Sequence, residues 1–222
     1  MKMRGIVLSV LTTVLCCSTS HATITSASWW DDGDGALVCS STSWDSGASA
    51  LSMKGDQFWG PGHMVGGGQL SDAGDPRLTL GSSIDNDTNF AWIAYTVNVY
   101  MPTNEVPTFT IVNTGTLAPS VDNPNNDWTV ASVVEPSSEP VVSSGEFAGD
   151  YEGTLNLQGG TPLAIGDELD FGYTIQFSGA SHFDFTQEVI PIAVPEPGAI
   201  DLVAVSGGLL AGLALIRSRR RK

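Results

Sequence analysis

Leu169-Asp170-Phe171-Gly172-Tyr173-Thr174-Ile175-Gln176-Phe177-Ser178 is the stretch that decides the fold class. Large apolar side chains occupy every odd position, and polar residues or glycine occupy every even one. Successive side chains of a β-strand point to opposite faces, so five apolar groups line one face of a sheet here. Ala91, Ile93, Tyr95, Val97, Val99 and Met101 repeat the alternation, with Phe90 and Trp92 on the opposite face. Shorter runs read alike at Leu78–Leu80, Phe109–Val112, Trp128–Val134, Tyr151–Leu157 and Phe183–Ile192.

Turn-forming residues separate these runs: Asp85-Asn86-Asp87, Asp122-Asn123-Pro124-Asn125-Asn126, Gln158-Gly159-Gly160 and Gly166-Asp167. Between Thr23 and Val194 no long 3.6-residue period interrupts the pattern. Seven or more strands so spaced predict an all-β protein, an antiparallel β-sandwich of immunoglobulin-like or jelly-roll type. Two regions are less regular. Trp29 to Gly74 is rich in glycine, serine and aspartate, and predicts an early strand around Leu37–Cys39 and a long surface loop over Gly60–Gly74. Val133 to Gly145, with Glu135-Pro136-Ser137-Ser138-Glu139-Pro140 inside it, reads as a solvated connection or a sheet edge.

The two ends differ from this body. Met1-Lys2-Met3-Arg4 is a short basic segment, Gly5 to Cys17 is apolar but too short to span a bilayer, and Ser20-His21-Ala22 offers small residues where a signal peptidase reads. Residues 1–22 therefore read as a signal peptide cut between Ala22 and Thr23, and residues 23–193 as the β-sandwich domain. At the other end Val194-Pro195-Glu196-Pro197 holds two prolines that forbid helix and keep the backbone extended. Leu202 to Ile216 is an apolar run, and Arg217-Ser218-Arg219-Arg220-Arg221-Lys222 closes the chain with five positive charges. An apolar helix followed by a basic cluster is a stop-transfer signal, with Arg217, Arg219, Arg220, Arg221 and Lys222 on the cytoplasmic side. The fifteen residues from Leu202 cover only about 22 Å of a ~30 Å hydrocarbon core, so this helix is a weak anchor.

Residues 194–222 closely resemble the PEP-CTERM sorting signal. The resemblance covers only this tail. It implies recognition of Pro195-Glu196-Pro197 by an exosortase-type processing enzyme and a precursor anchored in the inner membrane. The mature protein is then expected at the cell surface, or released, in a bacterium with an outer membrane and exopolysaccharide.

Without both end signals the body keeps two basic residues, Lys54 and Arg77, against twenty-two acidic ones, a net charge of −20 with histidines neutral. Such a surface repels nucleic acid and anionic lipid, and favours solubility, cations or basic partners. Cys39 is the body's one cysteine, so no intramolecular disulfide forms and packing must hold the fold. Cys39 reads most simply as a buried small hydrophobe, with an intermolecular disulfide as the alternative.

Three constellations bear on chemistry. Asp85-x-Asp87-x-Asn89 has the oxygen spacing that opens a calcium loop, but Phe90 stands at the sharp-turn glycine position and Thr96 at the position of the bidentate glutamate. Asp31-Asp32-Gly33-Asp34-Gly35 is a second incomplete oxygen cluster. Both also read as aspartates capping turns, and a modest calcium effect without a tight site is expected. Six tryptophans are the second constellation: Trp92 and Trp128 lie in strand patterns and belong to the core, whereas Trp29, Trp30, Trp44 and Trp59 are either core or a sugar-stacking platform. Third, His63 and His182 are the body's only histidines, and no serine elbow or paired metal-ligand histidine accompanies them. No catalytic residue or cofactor is assigned, and no enzyme activity is expected, although a spatial carboxylate pair for glycoside hydrolysis would leave no sequence motif. The expected function is thus a structural protein of the surface or extracellular matrix. The alternatives are an exopolysaccharide-binding module and, behind it, a glycoside or ester hydrolase.

Overall fold

A computed structural model of the chain describes residues 22–102, 108–112, 120–121, 127–136, 142 and 144–195. The predicted signal peptide before Ala22, Glu196, Pro197, the apolar run and the basic tail lie outside the described residues, as does the Asp122–Asn126 turn. Among the described residues twelve strands follow one another: β1 (Ile24–Asp31), β2 (Leu37–Asp45), β3 (Ala50–Gln57), β4 (Gly62–Gly74), β5 (Arg77–Asn86), β6 (Trp92–Met101), β7 (Thr108–Val112), β8 (Ser120–Val121), β9 (Thr129–Val134), β10 (Tyr151–Leu163), β11 (Glu168–Ser178) and β12 (Ala180–Ala193). Among the described residues there is no helix, and so none long and apolar enough to cross a membrane.

The strands form two packed sheets. The front sheet runs β1-β4-β12-β6-β10-β9, and the back sheet runs β2-β3-β5-β11-β7 with β8 also on β11. The alternation read from the sequence is what joins them. Leu169, Phe171, Tyr173, Ile175 and Phe177 of β11 all face inward and are buried, opposite Tyr95, Val97, Val99, Leu155, Leu157, Phe183, Phe185 and Val189 of the front sheet. Each such side chain contributes roughly 1.5–3 kcal/mol by leaving water. Aromatic contacts lock the layers: Phe177 stacks on Phe183 with ring centres 4.3 Å apart, and Tyr95 lies 5.7 Å from Phe171.

Two polar pairs also cross the apolar layer. Tyr95 of the front sheet donates to Gln57 Oε1 of the back sheet, and Gln57 Nε2 donates to the Trp59 and Val189 carbonyls. In the reverse sense, Tyr173 of the back sheet donates to Gln187 Oε1 of the front sheet at 2.6 Å, while Gln187 Nε2 reaches Ser82 Oγ. All four side chains are buried, and burial pushes both phenols well above their usual range.

Four sequence expectations are corrected. The sandwich is not wholly antiparallel, because β3 and β5 pair in parallel. Between them the chain crosses to the front sheet as β4 and returns; two reversals restore the original direction. The Gly60–Gly74 segment is not a surface loop, since Gly62–Gly74 of it forms strand β4. Its glycines supply space instead of a turn: a β-carbon on Gly66 would lie 2.4 Å from the Phe185 ring, and one on Gly68 2.5 Å from the Phe183 ring. Gly159-Gly160 is a bulge within β10 rather than a turn, and the Trp128 indole packs where a Gly159 side chain would be. Trp92 shares the inward face with Tyr95 rather than lying on the face opposite to it, since an irregularity in register at Ile93 turns it to stack on that ring.

The ends of the domain are tied to their neighbours. Ser71 N–H donates to Thr23 O, Thr23 N–H donates to Ser71 Oγ, and Val194 N–H donates to Ala91 O. Because β1 and β12 both pair antiparallel with β4, they run in the same direction on either side of it. Thr23 and Val194 therefore sit at opposite ends of the sandwich.

Candidate functional site

The outer face of the front sheet gathers the polar residues that the alternation leaves out of the core. Across it runs one hydrogen-bonded row. Asn98 Nδ2 donates to Glu188 Oε2 at 2.8 Å, Tyr100 OH donates to the same oxygen at 2.9 Å, and Thr154 Oγ1 donates to Asn98 Oδ1 at 3.0 Å. Thr96, Asn156 and Ser132 continue it toward the β9 edge. Tyr100 also lies 3.4 Å from Glu152 Oε1, so two carboxylates converge on one hydroxyl. Burial, with Glu188 and Glu152 alongside, raises the Tyr100 phenol. The segment 144–150 folds back over this place: Phe147 stacks on Tyr100 at 4.1 Å and meets His63 edge-on at 5.7 Å.

At the near end of the row stands His63. The β1–β2 turn, Asp31-Asp32-Gly33-Asp34-Gly35, is pinned by its own aspartates. Asp31 Oδ1 accepts from Gly33 N–H, Asp32 Oδ1 from Asp34 N–H and Asp34 Oδ1 from Ala36 N–H. Gly33 and Gly35 both take positive φ, +83° and +76°, which a side chain would resist. The second oxygens of Asp32 and Asp34 then point at His63 Nδ1, 3.4 and 3.3 Å away. On the other side of the ring, Glu188 Oε1 lies 3.3 Å from Nε2.

The tryptophans divide as follows. Trp92 and Trp128 are core, as expected, and Trp29 joins them against Phe185; Trp44 is half-buried. Trp30 and Trp59 remain 44% and 54% exposed. Trp30 lies on the outer front face over Gly67, whose missing side chain leaves the indole edge and the Asp184 carboxylate to fill the space above the strand.

The predicted calcium residues are placed apart in role. Asp85 lies on the outer face of the back sheet with Lys54 and Glu168, so its resident cation is the Lys54 ammonium. Burial, with Glu168 and Asp56 beside it, pushes the Asp85 carboxyl up to about 6 against the pull of Lys54, whereas the Lys54 hydrogen bond draws Glu168 down. Asp87 and Asn89 are exposed on the turn that follows. The residues between them do the structural work there. Asn86 donates to the Phe90, Leu163 and Ala164 carbonyls and accepts from Thr88, which in turn accepts from Trp92 Nε1.

Of the processing residues, Ala22 and Thr23 lead into β1, and Val194 and the exposed Pro195 leave β12. Cys39 is a free, half-buried thiol, raised above its usual range by burial, with Sγ near the Ser41 and Lys54 carbonyls. The His63 cluster was not visible as a motif, because its members are 29 and 125 residues apart along the chain. No protein-family profile matches this chain, and no curated protein matches it.

Proposed function

We propose that this protein is exported, processed at Val194-Pro195-Glu196-Pro197 by an exosortase-type enzyme, and held at the cell surface or in the extracellular matrix, where the front sheet binds polysaccharide. The reading of export and processing rests on the end segments of the sequence. The reading of polysaccharide binding rests on one observation: Trp30 is half-exposed over Gly67, on the same face as the Asn98–Glu188–Thr154 row. An exposed indole offers a flat apolar face for a sugar ring, and the Asp184 carboxylate beside it over Gly67 can accept from sugar hydroxyls. A strongly acidic surface is suited to neutral rather than acidic polymers. Among the described strands, eight of the eleven steps from one to the next change sheet, which favours a jelly roll over an immunoglobulin-like order.

The test is retardation of the full chain in native gels containing neutral exopolysaccharide. Parent protein is expected to be retarded, Trp30→Ala to migrate freely, and Trp59→Ala to behave as parent. No retardation of the parent leaves the purely structural role; retardation lost in Trp59→Ala but kept in Trp30→Ala places binding elsewhere. Intact mass of the surface-associated protein tests processing separately, the expected form ending near Pro197 without the apolar run.

A further inference from the structure

We propose that Asp32, Asp34 and His63 bind a divalent transition-metal ion, with Zn²⁺ the best match, and that Glu188 is the residue that positions the imidazole for it. One ligand atom from each of the three residues lies within 4.8 Å of the other two. Bonds of about 2.0–2.2 Å in a tetrahedral site put ligand atoms roughly 3.3–3.6 Å apart. His63 Nδ1 is 3.4 Å from Asp32 Oδ2 and 3.3 Å from Asp34 Oδ2, which are tetrahedron edges. They are long for charge-assisted hydrogen bonds, which close to about 2.7–2.9 Å.

The other ring nitrogen decides what Nδ1 offers. An imidazole that gives its Nε2 proton to Glu188 presents a lone pair at Nδ1, and here that lone pair faces two carboxylate oxygens. A cation at their centre turns three mutually repelling donors into ligands. Glu188 is itself fixed, since its second oxygen accepts from Asn98 and Tyr100. A carboxylate that orients a ligating histidine in this way is the usual outer partner at metal sites. The body's two fixed cations are engaged elsewhere: Lys54 pairs with Glu168 and Asp85 on the back sheet, and Arg77 donates to Gln176. An imidazole among the donors argues for a borderline ion, because calcium and magnesium take oxygen ligands. Three protein donors leave a fourth position for water.

The test is equilibrium dialysis of the chelator-stripped full chain, in detergent, against Zn²⁺ alone and Ca²⁺ alone. One Zn²⁺ per chain is expected, with Ca²⁺ at least a hundredfold weaker. Asp34→Asn and Asp32→Asn, both on an exposed turn, are expected to weaken Zn²⁺ at least tenfold, and Glu188→Gln by about 10–100-fold. His182→Gln and Asp87→Asn are expected to bind as the parent. No saturable Zn²⁺ uptake, equal binding of the two ions, or Asp34→Asn binding like the parent overturns the proposal and leaves a proton as the occupant of Nδ1.

Discussion

Replacing Tyr173 with Phe removes one oxygen from the middle of the sandwich and tests whether the crossed tyrosine–glutamine pairs matter. In the native protein Tyr173 OH donates to Gln187 Oε1 at 2.6 Å, and both residues are buried. Tyr173→Phe loses one hydrogen bond, about 0.5–1.5 kcal/mol net, and leaves Gln187 Oε1 without a donor in a dry core, about 1–3 kcal/mol more. The expected loss is therefore ~2–4 kcal/mol. For a domain of this size that lowers Tm by roughly 4–16 °C. The double variant Tyr173→Phe/Gln187→Leu removes both polar groups and fills the space with carbon, which is close to neutral for such pairs. Ser82 then loses only a long 3.4 Å partner. Urea unfolding of the parent, both single variants and the double variant closes the cycle, with an unchanged m-value as the sign that compactness is preserved. The double variant is expected to be more stable than Tyr173→Phe alone. A single variant within about 0.5 kcal/mol of the parent, or a double variant that loses the sum of the two single losses, refutes the reasoning.

Gly66→Ala is expected to destabilise the fold by about 1–3 kcal/mol, because its methyl group would sit 2.4 Å from the Phe185 ring; a thermal melt unchanged from the parent would contradict the packing described. Asn86→Ala is expected to cost about 2–4 kcal/mol, since it strips donors from three carbonyls and the acceptor from Thr88, and hydrogen exchange should speed up first at Thr88 and Phe90. For Asp85 the folded state raises the carboxyl from 3.8 to about 6, so folding favours its protonated form. The stability from this group is full below about pH 4 and is lost as pH rises through 6. Asp85→Asn, which keeps the neutral shape, should therefore unfold at higher urea than the parent at pH 7.5, with the gap closing by pH 4. A gap that widens on acidification would reverse the sign.

Fold class was legible because β11, β6 and β12 turn most of their large apolar side chains to one face, and a period of two survives in their sequences. Of the first four strands only the start of β2, around Leu37–Cys39, was legible, and the others were hidden for local physical reasons. In β4 the inward positions 66 and 68 are glycines, and the apolar volume that fills them belongs to Phe185 and Phe183 of the neighbouring strand. Inward Gln57 and Gln187 break the apolar alternation of β3 and β12 because their partners are tyrosines of the opposite sheet. The oxygen-rich turn at Asp31–Gly35 was visible, and so was His63 as one of the body's two histidines, but nothing in either segment records that β1–β2 and β4 bring them together. At Asp85–Asn89 the spacing drew attention to the outward oxygens, whereas the turn depends on the inward Asn86 and Thr88.

The parallel course of β1 and β12 on either side of β4 has a mechanical consequence. Thr23 and Val194 leave the domain at opposite ends: ~30 Å of strand axis separates the level of Ser71, beside Thr23, from that of Gly62, and β12 continues past Gly62's partner Val189 before Val194. Tension between the two ends drags β1 one way and β12 the other, along their own axes. The backbone ladders to β4 are then loaded sideways and all together, so they cannot unzip bond by bond. A chain tethered by its C-terminal side while its far end is held by other material would resist stretching as a shear clamp.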